Sequence, residues 1–216
     1  MKKLLYTLLA VSIIFSACEE EDVTPINNNN NSSNNTYVPD DNFEQQLINF
    51  GLDNVLDDYV LTSSIDTVLS LDVDDKNISS LVGIEDFISL EDLHCRDNNL
   101  TSLDVSNNTN LISLFCQVNN INNLNTGSID IEDIWCHINN LINLDLSNNH
   151  NLKQIYVDEN NLESLNLKNG NSANICCIAT YDNPNLSCIL VDDPNTMSPF
   201  VFMSQDPQHY LSNSCP

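Results

Sequence analysis

Between Leu90 and Ile189 the apolar positions recur at a stride far longer than that of one helix or strand. Leu90, Leu111, Ile131, Leu152 and Ile175 stand 20 to 23 residues apart, and three positions after each come Leu93, Leu114, Ile134, Ile155 and Ile178. Two further on are Cys95, Cys116, Cys136, Val157 and Thr180, then a polar column, Asn98, Asn119, Asn139, Asn160 and Asn183. Leu100, Ile121, Leu141, Leu162 and Leu186, followed by Leu103, Leu124, Leu144, Leu165 and Ile189, complete the unit. A period of this length marks a stack of coils, none of which can bury its own apolar face alone. "LSLDVDDKNISSL", Leu69 to Leu81, is a degenerate earlier copy with Lys76 at the asparagine position, which makes six coils.

Side chains of an extended segment alternate between faces. The Leu93 and Cys95 columns therefore point inward, and the positions before, between and after them point out. Stacked coils set each residue about 4.8 Å from its counterpart. Each asparagine sits where the chain leaves the strand, with an amide able to bond backbone groups of adjacent coils.

Leu90 to Leu100 reads L-x-x-L-x-C-x-x-N-x-L, which resembles the leucine-rich repeat family with cysteine at a leucine position. "LTSLDVSNNTNL", from Leu100, resembles in particular the short repeats of surface and secreted proteins of Bacteroidetes bacteria. The resemblance covers residues 37–215 and implies a β-rich α+β solenoid with a concave parallel sheet, an N-terminal capping helix and a C-terminal cap. "YVPDDNFEQQLINFG" carries candidate N-caps Asp40 and Asp41, Glu44 as a capping-box partner three after Asp41, one apolar face of Phe43, Leu47 and Ile48, and a stop at Gly51, placing a helix over 41–50. The tail "NPNLSCILVDDPNTMSPFVF" through "SCP" breaks the repeat and resembles the family's C-terminal cap. Cys188 and Cys215 are read as its disulfide, with a bond from Cys176 or Cys177 to Cys188 left open by sequence.

The N-terminus changes the picture of where the chain works. Lys2 and Lys3, an apolar Leu4 to Phe15, and Ser16-Ala17 before Cys18 read as a secretory signal, and "FSAC" resembles a lipoprotein box with Cys18 lipidated. Acyl chains hold a protein on a bilayer without a spanning helix. The organisation is then 1–17 signal peptide, 18–36 acidic and Asn-rich tether, 37–64 helical cap, 65–191 repeats and 192–216 C-terminal cap. The acidic "EEED" after Cys18 resembles a surface-export signal, so the expected location is the bacterial outer membrane, lipid-anchored and facing out.

The chain has 31 acidic against 6 basic residues, and loss of Lys2 and Lys3 with the signal takes the formal charge from −25 to −27. Such a surface repels phosphate backbones, so nucleic-acid binding is excluded as a reading, and membrane contact is assigned to the lipid anchor alone. The acidic residues are scattered and no loop has calcium-hand spacing. No metal site and no cofactor are assigned.

"IEDIWCHINN", Ile131 to Asn140, brings Trp135, Cys136 and His137 together in sequence, but alternation sends Cys136 inward and its neighbours outward. A nucleophile and base on opposite faces cannot cooperate, and a column of thiols is a line rather than a tetrahedron about zinc. With no nucleophile elbow and no phosphate loop either, the reading is not an enzyme. The outward columns carry His94, Phe115, Trp135 and Tyr156, bordered by Arg96, Gln117, His137, Asp158 and Tyr181. Aromatics with a polar border mark an interaction surface, and the expected role is recognition of a protein or glycan partner through the concave sheet. The alternative is a structural surface protein without a dedicated ligand, since aromatics also favour strands for packing alone.

Overall fold

The computed structural model describes residues 34–127, 130–198 and 201–216. The expected signal peptide, the lipidation position Cys18 and nearly all of the tether lie outside the described residues. No helix of the described residues is long and apolar enough to cross a membrane.

Seven short strands, Ser70–Asp72, Asp92–His94, Ser113–Phe115, Asp133–Trp135, Gln154–Tyr156, Cys177–Ala179 and Phe202–Ser204, form one parallel sheet in sequence order. The register is that of the repeat: Leu71 pairs with Leu93, Leu93 with Leu114, Leu114 with Ile134, Ile134 with Ile155 and Ile155 with Ile178. Six of these strands come from the six repeat copies. The seventh, Phe202–Ser204, joins beyond them with a register shift after Ile178, so it has no repeat signature to betray it.

Every residue of the Leu93 and Cys95 columns is buried, Cys95, Cys116 and Cys136 included. Each large apolar side chain taken out of water contributes about 1.5–3 kcal/mol, and the coils on either side join these side chains into one continuous core. The strands are three residues long because the chain must turn after each one. The turn is made by a residue with left-handed backbone just ahead of the asparagine: Asp97, Val118, Ile138, Glu159 and Asp182 have φ of 53°, 57°, 55°, 51° and 57°.

The asparagines behind these turns join the coils. Asn119 Oδ1 accepts from the Leu100 N–H of the preceding coil at 3.0 Å, while its Nδ2 donates to the Cys95 carbonyl of that coil at 2.9 Å and to its own Cys116 carbonyl at 3.1 Å. Asn98, Asn139, Asn160 and Asn183 repeat this arrangement. At the Lys76 position, where the side chain has no amide, the Lys76 N–H is itself held by Asn98 Oδ1 at 3.1 Å.

The Leu103 column, expected only as further apolar positions, is also strand. Ser102–Asp104 pairs in parallel with Asn123–Asn125, and Asn143–Asp145, Ser164–Asn166, Cys188–Leu190 and Tyr210–Ser212 form a four-stranded parallel sheet. The apolar residues of these strands share the core of the first sheet, so the interior is a layer between two ladders.

Helix α1, Asp41–Asn49, closes the first end by burying Phe43 and Leu47, with the Phe43 ring stacked 6.3 Å from Phe87. It ends at Gly51, whose φ of +75° suits glycine. Its cap differs from the expected box. Asp40 is the N-cap, with Oδ1 accepting from Asn42 and Phe43 N–H at 3.0 Å each. Glu44 turns away to accept from the N–H groups of Asp57 (2.9 Å) and Tyr59 (3.1 Å), because the returning loop offers two amides where the helix start offers one. At the far end Cys188 and Cys215 are joined, closing a loop of 27 residues worth about 3–4 kcal/mol in the chain-entropy picture. Cys176 and Cys177 are free.

Candidate functional site

The concave face is built from the residues between the two buried columns. Because Leu114 and Cys116 are committed inward, Phe115 must stand outward, and the same holds for His94, Trp135 and Tyr156 in their coils. The parallel register then sets the rings side by side. His94 stacks on Phe115 at 4.4 Å and 21°, Phe115 meets Trp135 edge-on at 5.5 Å, and Trp135 tilts against Tyr156 at 4.6 Å. His137 adds a ring 6.4 Å from Trp135. All five are half-buried, each covered partly by its neighbours and partly open.

The bordering polar residues divide into two groups. Arg96 is engaged, its Nε 2.6 Å from Asp74 Oδ2, and Asp158 accepts from Ser204 Oγ at 2.7 Å. Tyr181 is 56% exposed and has no ring partner among the described residues. Gln117, expected as an open rim residue, is instead 8% exposed, since it lies between the rows of Arg96 and His137, and its Oε1 has no partner. His137 Nδ1 is also buried without a partner.

Sequence reasoning misses Asp133 and the left-handed pair Val118 and Ile138. Asp133 lies on the outward side two residues before Trp135, and its Oδ1 is a third buried polar atom without a partner. Burial, and next the neighbouring Glu132, raise its carboxyl above the ordinary range, against the pull of Lys153 and Gln154. The strand alternation that places Trp135 also predicts this outward position. Val118 and Ile138 follow Gln117 and His137, and they are β-branched residues where the other coils carry Asp or Glu. A left-handed backbone costs such residues roughly 1–2 kcal/mol. Ile138, which follows His137 in the chain, is 39% exposed.

Tyr156 carries a phenol raised by burial and then by Cys177, whose strand adjoins its own. Behind the sheet, burial raises the Cys95 thiol, and the hydrogen bond with Cys116 followed by burial raises that of Cys136. These thiols are neutral core side chains, and Cys136 faces away from His137 across the backbone. The Cys176 thiol is raised by its hydrogen bond with Cys177 Sγ, 3.2 Å away.

No protein-family model matches this sequence, and no curated protein matches it. Solved structures do. The chain is similar to the functional domain of InlJ from Listeria monocytogenes, described as including a cysteine ladder, with TM-score 0.59, 25% identity, and coverage of 73% of this chain and 38% of that one. This chain thus spans well under half the length of that neighbour. More distant matches, also from Listeria monocytogenes, are internalin C2 (TM-score 0.41, 15% identity, 80% of this chain and 98% of that) and the internalin inlF (0.40, 14%, 82% and 71%). The chain has the fold of a leucine-rich repeat solenoid, and Cys95, Cys116 and Cys136 form a buried column within it.

Proposed function

We propose that the protein is a lipid-anchored module of the bacterial outer-membrane surface that recognises a protein or glycan partner through its concave sheet. The observation that carries this reading is one continuous patch. The ring stack His94, Phe115, Trp135 and Tyr156 is half-open, and around it Gln117 Oε1, Asp133 Oδ1 and His137 Nδ1 are shielded from water without a hydrogen bond. Unmet polar groups of this kind cost about 1–3 kcal/mol each and are rare in folded chains, so three around one aromatic patch favour a partner that supplies the missing bonds. Arginine and aromatic residues are also those enriched in binding hot spots. Catalysis has no place in it.

The binding experiment uses residues 34–216 against an array of proteins and glycans, followed by titration of the ligand found. Trp135→Ala with Tyr156→Ala is expected to leave the circular dichroism spectrum unchanged and to weaken binding by at least about 2 kcal/mol. Undiminished affinity would leave the stripe as packing alone, which is the structural surface protein of the alternative reading. Anchoring through Cys18 predicts incorporation of labelled fatty acid into wild-type protein and none into Cys18→Ala.

A further inference from the structure

The N-terminal cap holds another unmet polar group, remote from the aromatic stripe. Helix α1 opens at Asp41, and the chain later returns past its first turn through Asp57 and Asp58 before the strand Tyr59–Leu61. One carboxylate oxygen from each of Asp41, Glu44 and Asp58 lies within 4.8 Å of the other two. Among the described residues the ion pairs are Arg96 with Asp74, Lys153 with Glu132 and His209 with Asp206, so none brings a positive charge to this trio.

Glu44 makes this more than an acidic surface. Its side chain is fully buried; Oε1 is satisfied by the Asp57 and Tyr59 amides, and Oε2, equally shut off from water, has no partner. A buried carboxylate oxygen with no donor is costly, and two further carboxylates beside it add repulsion. Asp58 is held in place nonetheless, with a left-handed φ of 67° and its carbonyl accepting from Val38 N–H at 2.8 Å.

We propose that Asp41, Glu44 and Asp58 bind a calcium ion that fastens the 53–58 loop onto helix α1. A cation answers both costs at once, giving Glu44 Oε2 a partner and cancelling the repulsion. All three donors are carboxylate oxygens, the chemistry of a hard divalent ion, with neither thiol nor imidazole to favour zinc. Calcium binds oxygen at about 2.3–2.6 Å, so oxygens on opposite sides of it stand roughly 5 Å apart, and the trio, all within 4.8 Å of one another, lies inside that reach. Magnesium, at about 2.0–2.1 Å, demands near-octahedral geometry and gives up its waters reluctantly, which a site of three carboxylates on a helix and a returning loop does not favour. Asp41 and Asp58 are exposed, leaving the outer coordination positions to water, which places the site with extracellular modules of about 0.1–1 mM affinity.

The test is thermal unfolding of the full chain in EDTA, in calcium and in magnesium, beside Asp58→Asn and Glu44→Gln. Asparagine accepts a left-handed backbone, and the Glu44→Gln side chain keeps an acceptor oxygen for the Asp57 and Tyr59 amides. Calcium at about 100 times Kd is expected to raise the wild-type Tm by about 5–10 °C. Asp58→Asn should lose that rise and, relieved of one like charge, melt above wild type in EDTA. Terbium bound in calcium's place should emit on excitation of Tyr59 in wild type and not in either variant. A calcium response that persists in Asp58→Asn is general screening of a strongly acidic chain and overturns the site, as does no response, or an equal one to magnesium. Should Glu44→Gln not fold, the exposed Asp58→Asn decides alone.

Discussion

The concave sheet and the strands of the Leu103 column share one interior, and they differ in how their outward polar groups are used. Along the Leu103-column strands, which form one two-stranded and one four-stranded sheet, the outward residues Asp104, Asn125, Asp145 and Asn166 satisfy one another in pairs. Asn125 Nδ2 donates to Asp104 Oδ2 and Asn166 Nδ2 to Asp145 Oδ1, at 3.0 Å each, while their oxygens also cap the Ser106, Gly127, Ser147 and Lys168 amides that follow. On the concave sheet the outward column is aromatic, and Gln117, Asp133 and His137 beside it each retain a buried atom without a partner. One face is complete in itself and the other is not. The two sides differ in pairing as well, one continuous seven-stranded sheet against a two-stranded and a four-stranded one, and only the concave side keeps buried polar atoms unmet beside its outward column.

The largest expected effect breaks both faces together. Asn139→Leu removes the acceptor of the Ile121 N–H and the donor to the Cys116 and Cys136 carbonyls. Those carbonyls retain Asn119 and Asn160 as donors, so the orphaned amide and the misfit of leucine dominate, and urea unfolding should show a loss of about 3 kcal/mol. Ile138→Asn should act in the opposite direction. It relieves a β-branched residue of its left-handed backbone and should stabilise the chain by about 1 kcal/mol in the same assay. If the concave face is the docking surface, the same change weakens binding, as trade-offs at functional positions do.

The smallest effect opposes the two faces directly. The Asp133 carboxyl is raised by burial, so the folded chain holds its proton more tightly than the unfolded chain. Its contribution to stability therefore falls as pH rises from the ordinary carboxylate value through the raised one. For Asp104 burial is outweighed by hydrogen bonds from Ser106 and Asn125, and the carboxyl is lowered; its contribution is present above the ordinary value and lost as pH falls through the lowered one. At pH 7 Asp133→Asn should therefore unfold at higher urea than wild type and Asp104→Asn at lower urea. Each difference should be under about 1 kcal/mol, because both groups keep part of their contact with water, and both should vanish in strong acid. Shifts of the same sign would erase the distinction between the faces.

The repeat columns are legible because each buried position recurs in every coil, so errors at one copy are corrected by the others. The same columns place Phe115 and Trp135 outward and Cys116 and Cys136 inward, as the structure has them. The strands of the Leu103 column are not legible: Leu103 and Leu124 recur with the period, yet recurrence alone does not distinguish a strand from a turn. The strand Phe202–Ser204 lacks the columns altogether and is recruited by the open edge of Cys177–Ala179, whose backbone groups require a partner. Glu44 departs from the capping box because the amides that capture it arrive 13 and 15 residues later, from a loop with no pattern.

Sequence by itself determined the stride, the inward and outward sets and the asparagine joints, since periodic burial is a local property repeated along the chain. The tertiary structure alone decided which polar atoms find partners. Whether Gln117 Oε1, His137 Nδ1 or Glu44 Oε2 meets a donor depends on groups brought from other coils and loops, at distances that no spacing in the chain encodes.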